Sequence, residues 1–298
     1  MSRNNVSTRG NKIVEKDIEK GCLYIVGTPI GNLGDITYRA VETLKKVDII
    51  LAEDTRNTLK LLNYLQISKH MISYHRHNEQ EKIQSVVKLL EDKKDIALVS
   101  DAGMPIISDP GYFLVDYLVK NGYHVEVIPG VTAFVTALVM SGINSTTFTF
   151  EGFLSVNKKQ RNKRLESLSK ETRTMIFYEA PHKILSTLED MKEAFGERKI
   201  CIARELTKIH EEYIYTTFEE AIKNIKENSI KGEIVLVIEG LSEEKLEEEK
   251  NEKLSKISIK DLVKEKMEEG FTKKEAIKQV AKLKSIPKND VYKECLDL

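Results

Sequence analysis

The chain has 298 residues, 41% of them hydrophobic, which is enough for a sizeable core spread over about two domains. Charged residues make up 32%, and 47 basic side chains balance 47 acidic ones. That balance excludes a strong global field drawing in nucleic acid, so any such contact falls to local patches.

Residues 1–20 are polar, lack the apolar segment of a signal peptide, and are read as a flexible leader. No apolar run is long enough to span a membrane, so a cytoplasmic protein is expected. Cys22, Cys201 and Cys295 are odd in number and far apart. They read as reduced thiols, with no metal-ligand spacing between them.

Short apolar runs alternate with helical patterns. Residues 22–26 (CLYIV) predict a strand. Thr37 then caps a helix with Ala40, Val41 and Leu44 on one face. Further strands are expected at 47–51, 95–99 and 124–128, with a helix over 113–119. Near-continuous apolar strands separated by helices predict a largely parallel sheet covered on both faces. The small polar stretch 141–146 (SGINST) reads as a link to a second set of strands at 147–151, 174–178, 199–203 and 234–238. The expected fold class is therefore α/β, with lobes at 21–143 and 147–240.

After Gly240 the composition shifts. Residues 241–254 are acid-rich and read as a charged, solvated linker. Residues 255–298 predict a helical appendix. In it Thr272 and Glu275 form a capping-box pattern before Ala276, Ile277, Val280 and Leu283, and Pro287 precedes a last short helix. Six lysines and one glutamate between Phe271 and Lys288 suit either RNA phosphates or a solvated helix face.

Ligands of open α/β sheets gather at the carboxyl ends of strands, so the loops there are the places to look for a site. The first is 27–35 (GTPIGNLGD). Its glycines at 27, 31 and 34 fit neither a Walker A loop nor the dinucleotide fingerprint, yet they allow close backbone approach to a ligand. The second is 52–56 (AEDTR), whose carboxylates and guanidinium suit substrate positioning or acid–base work, or the start of a helix. The third is 100–111 (SDAGMPIISDPG), with Asp101 as an acceptor and Gly103 as a point of close approach. The fourth is 128–133 (IPGVTA), where Thr132 offers a hydroxyl.

Four loops of this kind in this order resemble the tetrapyrrole methylase superfamily. With EGFLS (151–155), FYEAPHK (177–183), ARELTKIHEE (203–212) and KGEIVLVIEG (231–240), they resemble its branch called ribosomal RNA small subunit methyltransferase I. The similarity covers about residues 21–240. Met104 stands where that family usually has threonine, and IPGVTA is a variant of a commoner Pro-Gly-Pro-Ser-Ala form.

The resemblance implies two αβα lobes of the tetrapyrrole methylase type with S-adenosylmethionine in the cleft between them, and a homodimer. It implies methylation of the ribose 2′-oxygen of a cytidine in the decoding region of 16S rRNA, in the 30S subunit. Cofactor contacts would fall at Ile30, Ser100, Asp101, Gly103, Met104, Thr132 and Ala133, and on the second lobe at Tyr178, Glu179, Leu206 and Ile234.

The chemistry needs positioning and a base near the hydroxyl. Asp35, Glu53 and Asp54 are the candidate bases, and Arg56 suits a phosphate or an adjacent carboxylate; Asp54 and Arg56 are the favoured pair. No metal is required. His75 and His77 read as a polar loop, since no third ligand is evident.

For RNA, Lys158, Lys159, Arg161, Lys163 and Arg164 read as a mobile phosphate-binding loop or as a solvated surface. His182, Lys183, Arg204, Lys208 and His210 are further candidates on strand-end loops, although Arg204 and Glu205 equally suit a structural pair. Tyr178 suits base stacking or a half-buried strand position. Rival readings are carbon methylation of a tetrapyrrole, a non-catalytic RNA-binding or ribosome-assembly protein, and, disfavoured by glycine spacing, a nucleotide-dependent oxidoreductase.

Overall fold

A computed structural model describes residues 20–296 and 298; nearly all of the leader read at the N-terminus (residues 1–19) lies outside the described residues. The first sheet is built from β1 (Cys22–Val26), β2 (Ile49–Ala52), β3 (His70–Ser73), β4 (Ile96–Val99) and β5 (His124–Ile128). Its order is β3-β2-β4-β1-β5, and every pair is parallel. Both faces are covered. Ala40 and Leu44 of α1 (Tyr38–Lys46) and Leu62 of α2 (Thr55–Tyr64) pack with Val26, Ile50 and Val99. On the other face α3 (Glu79–Glu91) and α4 (Tyr112–Lys120) bring Val86, Leu90, Leu114 and Leu118 onto Leu23, Leu51 and Leu98. Each such buried valine, leucine or isoleucine contributes about 1.5–3 kcal/mol. The expected cap is present, with the Thr37 hydroxyl accepting from the Ala40 N–H at 3.1 Å.

Sequence order sets α5 (Ala133–Met140) before the 141–146 break, yet this helix packs on the second sheet. Ala137 and Leu138 meet Ile176, Val235 and Val237. The apolar helix thus carries the chain out of one lobe and into the core of the other.

The second sheet contains β6 (Phe148–Phe153), β7 (Thr174–Glu179), β8 (Lys199–Arg204), β9 (Glu212–Thr217) and β10 (Ile234–Ile238), in the order β6-β7-β10-β8-β9. Here the largely parallel expectation gives way. The β6–β7 pair is parallel, whereas β7–β10, β10–β8 and β8–β9 are antiparallel. Residues 205–211 joining β8 to β9 are too few for a crossover helix, so the chain must turn back. The helices α6 (Lys158–Leu168), α7 (Ile184–Phe195) and α8 (Phe218–Glu227) cover the face opposite α5. They place Leu165, Leu188, Met191 and Phe218 against Phe177, Ile202 and Leu236.

The acid-rich stretch read as a linker is helical instead, forming α9 (Glu243–Lys256). The Ser242 hydroxyl accepts from the Lys245 N–H at 3.2 Å, and Glu243 and Glu244 sit in the first turn, where the helix dipole favours acids. Beyond it, α10 (Ile259–Glu268), α11 (Lys273–Leu283) and α12 (Lys288–Glu294) share a small core of Leu262, Val263, Ile277, Val280, Val291 and Cys295. The Thr272–Glu275 capping box forms at the start of α11.

Candidate functional site

The loops after β1, β4 and β5 face the end of β7 and the start of β10 across a cleft of about 360 Å³. That volume lies within the range of small-molecule sites. From the first lobe Ile30, Asp101, Gly103, Met104, Thr132 and Ala133 line it, and from the second Tyr178, Glu179 and Ile234. Two residues placed there by resemblance are not among its lining. Ser100 is buried with its hydroxyl 3.3 Å from the Ala102 carbonyl, and Leu206 is packed into the core beside Ile30. The cleft also takes in Ile107, Ser108, Asp109, Phe153, Ala180, Pro181, Glu233 and Val235. The repeated aspartates of SDAGMPIISDPG were the available signal for Asp109. Phe153 and Glu233 lie within the EGFLS and KGEIVLVIEG motifs, but the resemblance assigns neither to the site.

Close approaches explain the glycines. Thr28 and Gly103 exchange backbone hydrogen bonds at 2.8 and 3.0 Å, and Gly103 holds φ at +79°. A side chain there would be strained and would press toward the Ile30 methyl 3.4 Å away. A Cβ at Gly31 would lie 2.5 Å from Lys208 Cγ and 2.8 Å from Thr207 Oγ1. The next residue, Asn32, donates its N–H to that same Thr207 hydroxyl at 3.0 Å. The first glycine-rich loop therefore serves as the seam between lobes as well as a wall of the cleft.

The second-lobe wall is aromatic. Tyr178 lies edge-on to Phe150 and Phe153, with ring centroids 4.9 and 5.4 Å away. Its hydroxyl accepts the Phe134 N–H at 3.3 Å, and burial pushes its pKa up to about 12. Glu179 is only 5% exposed and structural in its bonding. One oxygen accepts the Ala180 N–H at 2.7 Å and the other the Thr187 hydroxyl at 2.6 Å.

The favoured catalytic pair, Asp54 and Arg56, does not line the cleft. Asp54 is the N-cap of α2, accepting the Arg56 N–H at 2.9 Å. The Arg56 guanidinium grips the same carboxylate at 3.1 and 2.7 Å and, foremost among the causes, holds its pKa at about 2. A carboxylate so stabilised is a weak proton acceptor. The helix-start reading of AEDTR describes these two residues. Asp35 is exposed in the short turn Leu33–Asp35, and Glu53 is half-buried at the end of β2; neither lines the cleft. Burial first, and then the Asp101 charge, raise the Glu53 pKa. Asp101 itself accepts the Asp54 N–H at 3.2 Å and the Asn57 amide at 3.0 Å, one bond to each oxygen.

A family model described as Tetrapyrrole (Corrin/Porphyrin) Methylases matches residues 22–222. Proteins named ribosomal RNA small subunit methyltransferase I are similar over nearly the whole chain. That of Halalkalibacterium halodurans is 49% identical over 92% of this chain and 94% of its own, and that of Bacillus subtilis is 46% identical over the same shares. The chain belongs to the tetrapyrrole methylase family and, within it, to the ribosomal RNA small subunit methyltransferase I branch. Solved structures agree in fold. A uroporphyrin-III-C-methyltransferase from Thermus thermophilus, complexed with S-adenyl homocysteine, aligns with TM-score 0.54 at 17% identity, over 74% of this chain and 97% of its own. A cobalt precorrin-4 methyltransferase aligns with TM-score 0.57 at 16% identity, over 73% and 94%.

For a member of this branch the basic residues need sorting. The segment 158–164 is no loop; it opens α6, capped by the Asn157 side chain. Arg161 is a correction. It is 8% exposed, and its guanidinium is bonded to Asp190 at 2.7 Å and to the Ser155 carbonyl at 3.3 Å, so it holds α6 to α7. Arg161, Leu165 and Leu168 form the buried stripe of the helix, which the basic composition concealed. Lys158 leans on Asp190 at 3.7 Å, and Arg164 pairs with Glu151. Lys159 and Lys163 are exposed one turn apart, with no salt bridge among the described residues.

Arg204 pairs with Glu212 at 2.5 Å rather than with Glu205. Lys208 is held by Glu205 at 2.9 Å and Glu233 at 3.2 Å. His182 is exposed directly after the cleft residue Pro181, and Lys183 is the half-buried N-cap position of α7.

The His75 and His77 rings meet in a T-shaped arrangement with centroids 5.9 Å apart, and the His75 ring contacts Asn78. Among the described residues, only Cys22, His124 and Glu126 converge as a group of metal-ligand types. They sit on paired strands at register Cys22↔His124 and Tyr24↔Glu126. Their ligand atoms lie within 4.8 Å of one another. No helix among the described residues is long and apolar enough to cross a membrane.

Proposed function

We propose that this chain transfers a methyl group from S-adenosylmethionine to the ribose 2′-oxygen of a cytidine in the decoding region of 16S rRNA, acting on the 30S subunit in the cytoplasm. The observation that carries the reading is the cleft itself, which gathers the first sheet's strand-end loops against an aromatic wall in a chain of this branch.

The residues present fit the cofactor. The cleft offers flat apolar and aromatic surface from Met104, Ile107, Phe153 and Tyr178 for an adenine. Asp101 supplies an acceptor for ribose hydroxyls and negative charge near a sulfonium. Gly103 lets the backbone hold its left-handed turn beside Ile30, which a side chain would strain. When bound, the cofactor supplies an activated methyl group. The protein's part is to hold the acceptor in line, exclude water, and take up a proton.

Lys159 and Lys163, with His182 at the cleft mouth, are the groups proposed to meet RNA phosphates. A homodimer is supported by exposed apolar side chains on and near α5, namely Val135, Val139, Met140, Phe148 and Tyr215. The deciding experiment is methyl transfer from labelled S-adenosylmethionine to 30S subunits, with the product nucleoside identified by mass spectrometry. A 2′-O-methylated cytidine is expected. Transfer to a tetrapyrrole and none to ribosomal RNA would overturn the reading.

A further inference from the structure

Four carboxylates line the cleft, namely Asp101, Asp109, Glu179 and Glu233. Three are committed elsewhere. Asp101 accepts from Asp54 and Asn57, Glu179 from Ala180 and Thr187, and Glu233 pairs with Lys208 while standing 76% exposed. Asp109 is half-buried and forms no salt bridge among the described residues.

Its loop is held by two hydrogen bonds with other elements. Ile106 and Ser108 both adopt left-handed backbone, at φ 78° and 67°. A β-branched residue rarely does so unless its surroundings enforce it. The Arg76 guanidinium donates to the Ser108 carbonyl. Just past Asp109, the Gly111 N–H donates at 2.8 Å to the buried Glu79 carboxylate. From the second lobe Gly152 faces the loop, with room for a Cβ only in ordinary contact, 3.4 Å from Ser108 Oγ. The turn is thus fixed before any ligand arrives, and it presents Asp109 to the same cavity as Met104, Thr132 and Tyr178.

We infer that Asp109 is the proton acceptor of the methyl transfer, an assignment that rests on the 2′-O-methylation reading above. The ribose 2′-oxygen bonds the methyl carbon as the carbon–sulfur bond returns its electron pair to sulfur, and Asp109 takes the hydroxyl proton. The charges then balance: sulfonium and carboxylate become thioether and carboxylic acid.

The surroundings suit the task. Burial first, and then the Glu53 charge at the end of β2, push the Asp109 pKa up to about 6; Asp101 adds to the rise. The Ser100 hydroxyl after β4 and Arg76 after β3 oppose it, and Tyr178 faces it from β7. A carboxylate tuned into this range is ionised at neutral pH and still has affinity for a proton.

The test uses the full chain, 30S subunits and labelled S-adenosylmethionine in single turnovers across pH 5–9. The wild-type rate is expected to rise with pH through about 6 and then level. Asp109→Asn is expected to lose roughly 10²–10⁴-fold in rate and to lose that rising limb, with affinities for cofactor and 30S within about threefold of wild type. Glu53→Gln is expected to move the limb to lower pH by removing a neighbouring negative charge, a reading that needs no change at Asp109. An active Asp109→Asn variant that keeps the limb overturns the assignment alone, as does a limb unmoved by Glu53→Gln. A wild-type protein that leaves 30S subunits unmethylated overturns the underlying reading and the assignment with it.

Discussion

The two lobes build their halves of the cleft by different means. In the first, all five strands run the same way, so the carboxyl ends of β1, β4 and β5 open on one rim and bring Ile30, Asp101 and Thr132 together. In the second, the antiparallel ladder pairs Ile234 with Glu179, so the start of β10 lies beside the end of β7. That pairing is why Glu233 and Ile234 share a wall with Tyr178. The parallel lobe contributes carboxylates, a hydroxyl and tight glycine turns. The mixed lobe contributes aromatic surface and, on α6, exposed lysines. The division suggests that small-molecule chemistry depends mainly on the first lobe and the grip on RNA mainly on the second.

The sharpest way to break that division is to change one residue on each side. Asp101→Ala is expected to lower cofactor affinity about 10- to 100-fold by titration calorimetry, the worth of a charged hydrogen bond. Lys159→Glu with Lys163→Glu is expected to leave cofactor affinity unchanged, weaken 30S binding, and flatten its salt dependence by roughly 0.7–0.9 per lost phosphate contact. If the lysine pair alters cofactor binding as strongly as Asp101→Ala does, the lobes do not divide the work.

A second contrast lies within α6. Removing one partner of a buried ion pair strands the other, so Arg161→Ala is expected to cost about 3–5 kcal/mol in chemical denaturation. Lys159→Ala, on the exposed face, should change stability by less than about 0.5 kcal/mol. A small loss at Arg161 would return that side chain to the candidates for RNA contact.

How much the sequence disclosed follows the same division. In the parallel lobe, β1, β2, β4 and β5 are apolar enough to read directly, and the glycine loops after them point to the cleft. The strand β3, HMIS, is a short edge with one exposed and three half-buried residues, and it has no pattern to find. In the mixed lobe, the motif ARELTKIHEE hides both a tight return and the first residue of β9, whose alternation is weak. The run KKQRNKR looks like a loop because its inward-facing residue is an arginine satisfied by a distant aspartate, Asp190, which no local window includes. AEDTR looks catalytic because a capping aspartate and a general base are the same residue type. What separates Asp54 from Asp109 is solvent and pairing, and both are set by tertiary structure.

A further expected effect is thermodynamic, and it ties Asp109 to that difference. Its folded pKa, about 6, lies above the unfolded value of roughly 3.9, so the fold favours the protonated form. The favourable contribution is fully present below the unfolded pKa and is lost as pH rises through about 6. An asparagine amide carries no charge at any pH, so Asp109→Asn is expected to be more stable than wild type at pH 8. The gain should be about 1–2 kcal/mol after allowing for solvent screening of a half-buried group. The gap should shrink through pH 6 and close near pH 4, as read from denaturation midpoints at each pH. Asp54→Asn should behave in the opposite sense, since its carboxylate is stabilised in the fold by Arg56 and loses that help only as pH falls toward 2. A gap at Asp109 that did not vary with pH would mean that its carboxyl is as well solvated as an exposed one, and the first lobe would then lack the electrostatic strain on which its role as proton acceptor depends.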